Sequence, residues 1–113
     1  MTESKPHQFE KEVVKAAGNN EYVEGQRVKI GQVLHITHLA GKFDNCATSE
    51  YVVLGYYDGH GYKEIYKGAP TVASDFVHWN GHIWLREGQY VYAYFADVAT
   101  GERMTLRADG EYM

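Results

Sequence analysis

Six histidines are the residues of this chain best equipped for chemistry, because a neutral imidazole can bind a metal or carry a proton near neutral pH. His35 and His38 stand three apart in Val33-Leu34-His35-Ile36-Thr37-His38-Leu39, a segment of strand composition. A regular strand turns successive side chains to opposite faces, so these two are expected on opposite faces. His78 and His82 flank Asn80-Gly81, and Asn-Gly between apolar runs predicts a type I′ hairpin turn. That hairpin would set Trp79 opposite His82 and His78 opposite Ile83. His78 would then share a face with Phe76, Ile83 and Leu85, and His82 with Val77, Trp79 and Trp84. Neither pair can chelate one ion from regular strands, so no metal site is expected. His60 falls in the glycine turn Asp58-Gly59-His60-Gly61, and His7 near the amino terminus.

The remaining reactive groups suggest no catalyst. The single cysteine, Cys46, lies in Phe43-Asp44-Asn45-Cys46-Ala47-Thr48 without a hydrolase or redox motif, and it excludes an internal disulfide. No GxGxxG or Walker pattern occurs that could cradle a phosphate. Glu50, Asp58, Glu64, Asp75 and Asp97 fall mostly at strand ends or turns, where solvated acids belong. Asp44, Asp58 and Asp97 lack EF-hand spacing. No catalytic residue, cofactor or metal is therefore assigned, and enzymatic activity is not expected.

The elements that would hold these groups are mostly strands. Residues 1–25 read as an amino-terminal arm. In it Phe9, Val13 and Ala17 recur at i, i+4, beside Val14 and Ala16, as one apolar stripe on a short helix that Gly18 could cap. From Gln26 the texture is β: Arg27–Ile30, Val33–Leu39, Glu50–Tyr57, Tyr62–Tyr66 and Val77–Trp84, then Tyr90–Phe95, a Thr100-Gly101 turn and Met104–Ala108. Short strands punctuated by glycine turns predict an all-β, jelly-roll-like antiparallel β-sandwich over residues 26–113. The extended arm would carry at most one short helix.

Composition narrows the partners. The chain has 113 residues, 44% of them hydrophobic, a formal charge of −4 and ten tyrosines. One core is the norm at this length, and the acidic balance offers nucleic acid no electrostatic attraction. Met1-Thr2-Glu3-Ser4-Lys5-Pro6 lacks the apolar core of a signal peptide, and no stretch approaches the roughly 20 apolar residues of a membrane span. Synthesis in a cytoplasm and no membrane partner are expected.

Alternation along the last two strands assigns faces. Val91, Ala93 and Phe95 share one face with the core, as do Met104, Leu106 and Ala108. The opposite face carries Tyr90, Tyr92 and Tyr94, flanked by Arg103 and Arg107. Such a row is covered by a loop or the arm, forms a subunit or partner interface, or stacks on a nucleobase or sugar.

Two stretches carry a resemblance. The first is Leu34-His35-Ile36-Thr37-His38-Leu39-Ala40-Gly41-Lys42-Phe43-Asp44-Asn45. The second runs from Trp79-Asn80-Gly81-His82-Ile83-Trp84-Leu85-Arg86-Glu87-Gly88-Gln89 through Tyr90–Phe95 and Ala99-Thr100-Gly101-Glu102 to Gly110-Glu111-Tyr112-Met113. Together they resemble small β-sandwich structural proteins of tailed bacteriophage virions, with Gln89 and Glu102 where aspartate is commoner. The resemblance implies a non-enzymatic virion component, a head decoration (cement) or neck protein, made in the bacterial host cytoplasm. It also implies a homo-oligomer, a trimer being favoured, in contact with phage major capsid or neck proteins. Tyr90, Tyr92, Tyr94 and Trp84 are the expected intersubunit or shell contacts, with Phe9 and Val13 anchoring the arm. The alternative is a carbohydrate-binding β-sandwich module that stacks Trp79, Trp84 and the tyrosines on sugar rings.

Overall fold

Period-two alternation governs nearly every segment of the computed structural model, which describes residues 5–14, 20–43, 51–69, 76–96 and 103–113. The strands are β1 (Lys5–Val14), β2 (Glu21–Glu24), β3 (Leu34–Phe43), β4 (Val52–Tyr57), β5 (Tyr62–Gly68), β6 (Val77–Leu85), β7 (Tyr90–Phe95) and β8 (Arg103–Tyr112). They form two antiparallel four-stranded sheets packed as a β-sandwich, one ordered β1-β8-β3-β6 and the other β2-β7-β4-β5. The chain changes sheet at every connection except β4–β5, and this order is that of a jelly roll.

Between the sheets lies the core. Leu34, Ile36, Leu39, Ile83, Leu85, Met104, Leu106 and Ala108 enter it from the first sheet. Val23, Val52, Leu54, Val91, Ala93 and Phe95 enter it from the second. All six inward residues read from the alternation of β7 and β8 are buried, none above 4% exposure. The Asp58–Gly61 turn also forms as expected. Asp58 Oδ1 accepts the His60 and Gly61 amides at 2.8 and 2.9 Å, while Gly59 takes the φ of 99° that favours glycine.

The amino-terminal stretch differs from its expected helix. Lys5–Val14 is a strand, paired with β8 over ten residues from Lys5↔Tyr112 to Val14↔Arg103. Ten ladder positions outweigh a helix of two to three turns, which is marginal in isolation. Phe9 packs against the core opposite Ala108. With β2 in the other sheet, residues 1–25 supply one strand to each layer of the sandwich. No described residue is helical. The Val13 side chain, Ala17, Gly18, Cys46 and the Thr100-Gly101 turn lie outside the described residues.

Asn80-Gly81 is the second difference. It makes no hairpin, because β6 continues straight through it and pairs with β3 from Leu34↔Leu85 to Gly41↔Val77. Among the described residues the positive-φ glycines are Gly31, Gly59 and Gly88, and Gly81 is not one of them. A glycine stands at 81 for space: a Cβ there would come within 2.8 Å of Trp79 Cη2 and closer still to its Cζ2. Two smaller corrections follow from the same topology. β7 and β8 belong to different sheets, so the tyrosine row and the Arg103–Arg107 row lie on opposite outer surfaces. Arg27–Ile30 is not a strand; the Val28 amide donates to the Gln89 carbonyl at 3.0 Å and its carbonyl accepts the Gly88 amide at 2.8 Å. That anchoring buries Val28 and leaves Ile30 85% exposed.

Candidate functional site

Each sheet turns an outer face to solvent, and each face carries one concentration of functional side chains. On the second sheet it is aromatic. Tyr90 and Tyr92, expected at an interface, are both 3% exposed because their own chain covers them. Tyr22 of β2 lies 5.6 Å from Tyr92 and 4.8 Å from Tyr94 by ring centroid. Tyr62 of β5 meets Tyr92 edge-on at 4.9 Å. Tyr22 and Tyr62 stack on one another at 4.7 Å, and they are the rings that reach solvent, at 45% and 44% exposure. Tyr94 is half-buried and also contacts Tyr51 at 6.2 Å.

Local polar chemistry locks this layer. The Glu24 carboxylate accepts the Tyr62 hydroxyl at 3.0 Å and also the Tyr90 hydroxyl, while the Arg27 guanidinium sits 4.8 Å from the Tyr90 ring centre. Burial first, and then the bond to Glu24, push the Tyr90 phenol well above its ordinary value of 10. Burial, with Tyr22, Glu64 and Tyr62 nearby, pushes Tyr92 up to about 12. Both phenols stay neutral at physiological pH. Gly55 makes room for Tyr92, whose Cε1 would stand 2.8 Å from a Cβ at that position. Tyr22, Tyr51, Val53, Tyr62, Tyr92 and Tyr94 line a cleft of about 290 Å³, with Glu64 and Lys67 at its border.

The outer face of the first sheet carries imidazoles, and here regular-strand reasoning gave the wrong faces. β3 breaks its alternation at Thr37: Leu34 and Ile36 point inward, and Leu39 is the next to do so. Against β8, Ile36↔Gly110 is followed by His38↔Asp109, which leaves Thr37 as one extra residue. His35 and His38 therefore share the outer face. On β6 strict alternation holds, with exposed His78, Asn80, His82 and Trp84 opposite more buried Val77, Trp79, Ile83 and Leu85. Four histidines from two strands thus meet on one surface.

They meet in pairs. His35 Nε2 is 2.8 Å from His82 Nδ1, and His38 Nε2 is 2.9 Å from His78 Nδ1. The distal nitrogen of each β3 histidine faces an acid of β8. His38 Nδ1 lies 2.8 Å from Asp109 Oδ2, and His35 Nδ1 lies 3.9 Å from Glu111 Oε1. A carboxylate accepts only, so the neutral His38 ring donates Nδ1–H to Asp109 and offers Nε2 as an acceptor to His78 Nδ1–H. Arg107 Nε approaches the same Asp109 Oδ2 at 3.4 Å. Trp84 lies flat on His35, with centroids 4.0 Å apart and planes 3° from parallel, and is itself 55% exposed.

The arrangement can pass a proton along the hydrogen-bonded row Asp109–His38–His78, whereas Glu111 stands too far from His35 to join the His35–His82 pair into a second row. Among the described residues no three of His, Cys, Asp and Glu form a metal-binding group. A cleft of about 390 Å³ opens beside it, where Tyr56, Ile65, Trp79 and Ile83 line the gap with His82 and Trp84. Of the residues expected at an interface, Trp84 and Phe9 lie on or within the first sheet, and Tyr90, Tyr92 and Tyr94 on the second. The structure brings the tyrosines together and keeps Trp84 apart from them. Sequence reasoning missed Tyr22 and Tyr62, and it missed the histidine rows; the alternating run His78-x-Asn80-x-His82-x-Trp84 was the local signal for the latter. Compared with protein-family models and with curated proteins, the chain matches none.

Proposed function

We propose that the chain is a non-enzymatic structural subunit of a tailed-bacteriophage virion, a head decoration or neck component, which associates with copies of itself and with the shell. The single observation that carries this reading is the exposed stacked pair Tyr22–Tyr62, laid over a layer of further tyrosines on one outer face of a jelly roll. Aromatic rings with polar tips suit a contact that must be both apolar and hydrogen-bonded. Burying such surface gains about 25 cal/mol per Å² before the costs of association. The resemblance of the His35 and Trp79 stretches to virion proteins supplies the biological setting. The jelly-roll order, an architecture of capsid proteins, is in keeping with it. Self-association is then through Tyr22 and Tyr62, with Tyr90 and Tyr92 supporting them from below.

A second reading has its own observation. The tyrosine cleft of about 290 Å³, bordered by Glu64 and Lys67, has the ring faces and polar groups of a carbohydrate-binding module. One experiment separates the two: light-scattering mass and glycan binding of the full chain and of the double variant Tyr22→Ser/Tyr62→Ser, with circular dichroism to verify the fold. A defined oligomer that becomes monomeric in the double variant is the expected result. A wild-type monomer, or an oligomer the double variant leaves intact, defeats the assembly reading. Glycan binding by a monomer, lost in the double variant, establishes the second.

A further inference from the structure

We propose that the outer face of the first sheet binds divalent transition-metal ions of the Cu²⁺ and Ni²⁺ type, one at His35/His82 and one at His38/His78. Three observations carry this.

The first is spacing. The paired nitrogens are 2.8 and 2.9 Å apart. Two ligands about 2.0–2.1 Å from one ion and at right angles to each other sit about 2.9 Å apart, whereas tetrahedral ligands sit about 3.3 Å apart. As they stand these are the spans of N–H···N hydrogen bonds, and they put each pair of nitrogens close enough to act as adjacent ligands of one ion once the shared proton has moved aside. The affinity order of imidazole sites, which peaks at Cu²⁺, favours ions of that type.

The second is orientation from behind. Metal-binding imidazoles characteristically donate their other ring N–H to a carboxylate, which fixes the tautomer and raises ligand basicity. Asp109 does this for His38 at 2.8 Å, and Glu111 stands 3.9 Å from His35. Asp109 thus keeps the Nε2 lone pair of His38 directed at His78, while His35 has its Nε2 held at 2.8 Å from His82. The third is access. His78 and His82 are exposed, so each can turn its ring and present Nδ1 beside Nε2 of the β3 histidine. The Nδ1 proton then shifts through solvent to Nε2 of the same ring. A neutral pair takes up its ion with no net proton release, and a singly protonated pair releases one proton. Two protein nitrogens per ion leave the other positions to water, since no three ligands converge there among the described residues.

The test is calorimetric titration of the untagged full chain with Ni²⁺. The expected stoichiometry is two ions per chain, falling to one in His78→Ala, one in His82→Ala and none in the double variant. Asp109→Asn should weaken the His38/His78 site about tenfold and leave the other unchanged. Trp84, flat against His35 at 4.0 Å, supplies an independent readout. Cu²⁺ should quench its fluorescence in wild type and in His78→Ala, and much less in His82→Ala. No binding at millimolar Ni²⁺, binding that survives the double variant, or quenching undiminished in His82→Ala overturns the proposal. The readouts are independent of oligomeric state, so their failure is distinct from failure of the assembly reading.

Discussion

His7 shows how a single residue reports its surroundings. Its ring stands edge-on to Tyr112, with centroids 5.2 Å apart, and lies 6.3 Å from Phe9. Burial lowers its pKa below the ordinary 6.5, against an opposing pull from Asp109. The unfolded chain therefore binds the proton more readily than the folded one, and stability rises with pH across that interval. The contribution of His7 is complete above about pH 6.5 and is lost as pH falls through its lowered folded value. Urea midpoints at pH 5 and pH 7.5 should differ less in His7→Phe than in wild type. An unchanged difference would show that the ring titrates as freely folded as unfolded.

At the scale of the element, β6 illustrates how one glycine serves a strand. The indole of Trp79 lies over Gly81 on the inward side, with Cη2 2.8 Å from the place a Cβ would occupy. Gly81→Ala should force the indole out of this half-buried site and cost about 1–3 kcal/mol, as overpacking does. Denaturant unfolding, followed by the displaced tryptophan's emission, reads both effects. Were Asn80-Gly81 a type I′ turn, the penalty would come from backbone strain instead, and Trp79 would not move. The strand's own alternation marks it in the sequence, from Val77 to Leu85. The Asn-Gly pair masked it, because turn chemistry and a space-requiring glycine use the same residue. β3 presents the converse case. Its composition marks it as a strand, but nothing local announces that alternation slips at Thr37, and that slip brings His35 and His38 together.

For the whole molecule, the amino-terminal residues matter in a way an arm would not. β1 and β2 contribute one edge strand to each sheet, and β1 covers β8 along ten residue pairs. Deleting residues 1–25 should therefore unfold the domain, abolishing its cooperative thermal transition. An arm held only by neighbouring subunits would instead come away leaving a folded monomer. A chain that still melts cooperatively after the deletion would show that the other six strands suffice.

The sequence alone determined the all-β class, the inward residues of β7 and β8, the strand character of β3 and β4, and the Asp58–Gly61 turn. These are consequences of period-two burial and turn stereochemistry, which act over a few residues. Tertiary structure decided which sheet each strand joins. It thereby placed Tyr22 and Tyr62 over Tyr92, separated the tyrosines from Arg103 and Arg107, and set β6 beside β3 so that His78 and His82 meet His38 and His35. Those outcomes depend on pairings between residues 30 to 71 positions apart, and alternation along a strand is the same whichever neighbour it acquires.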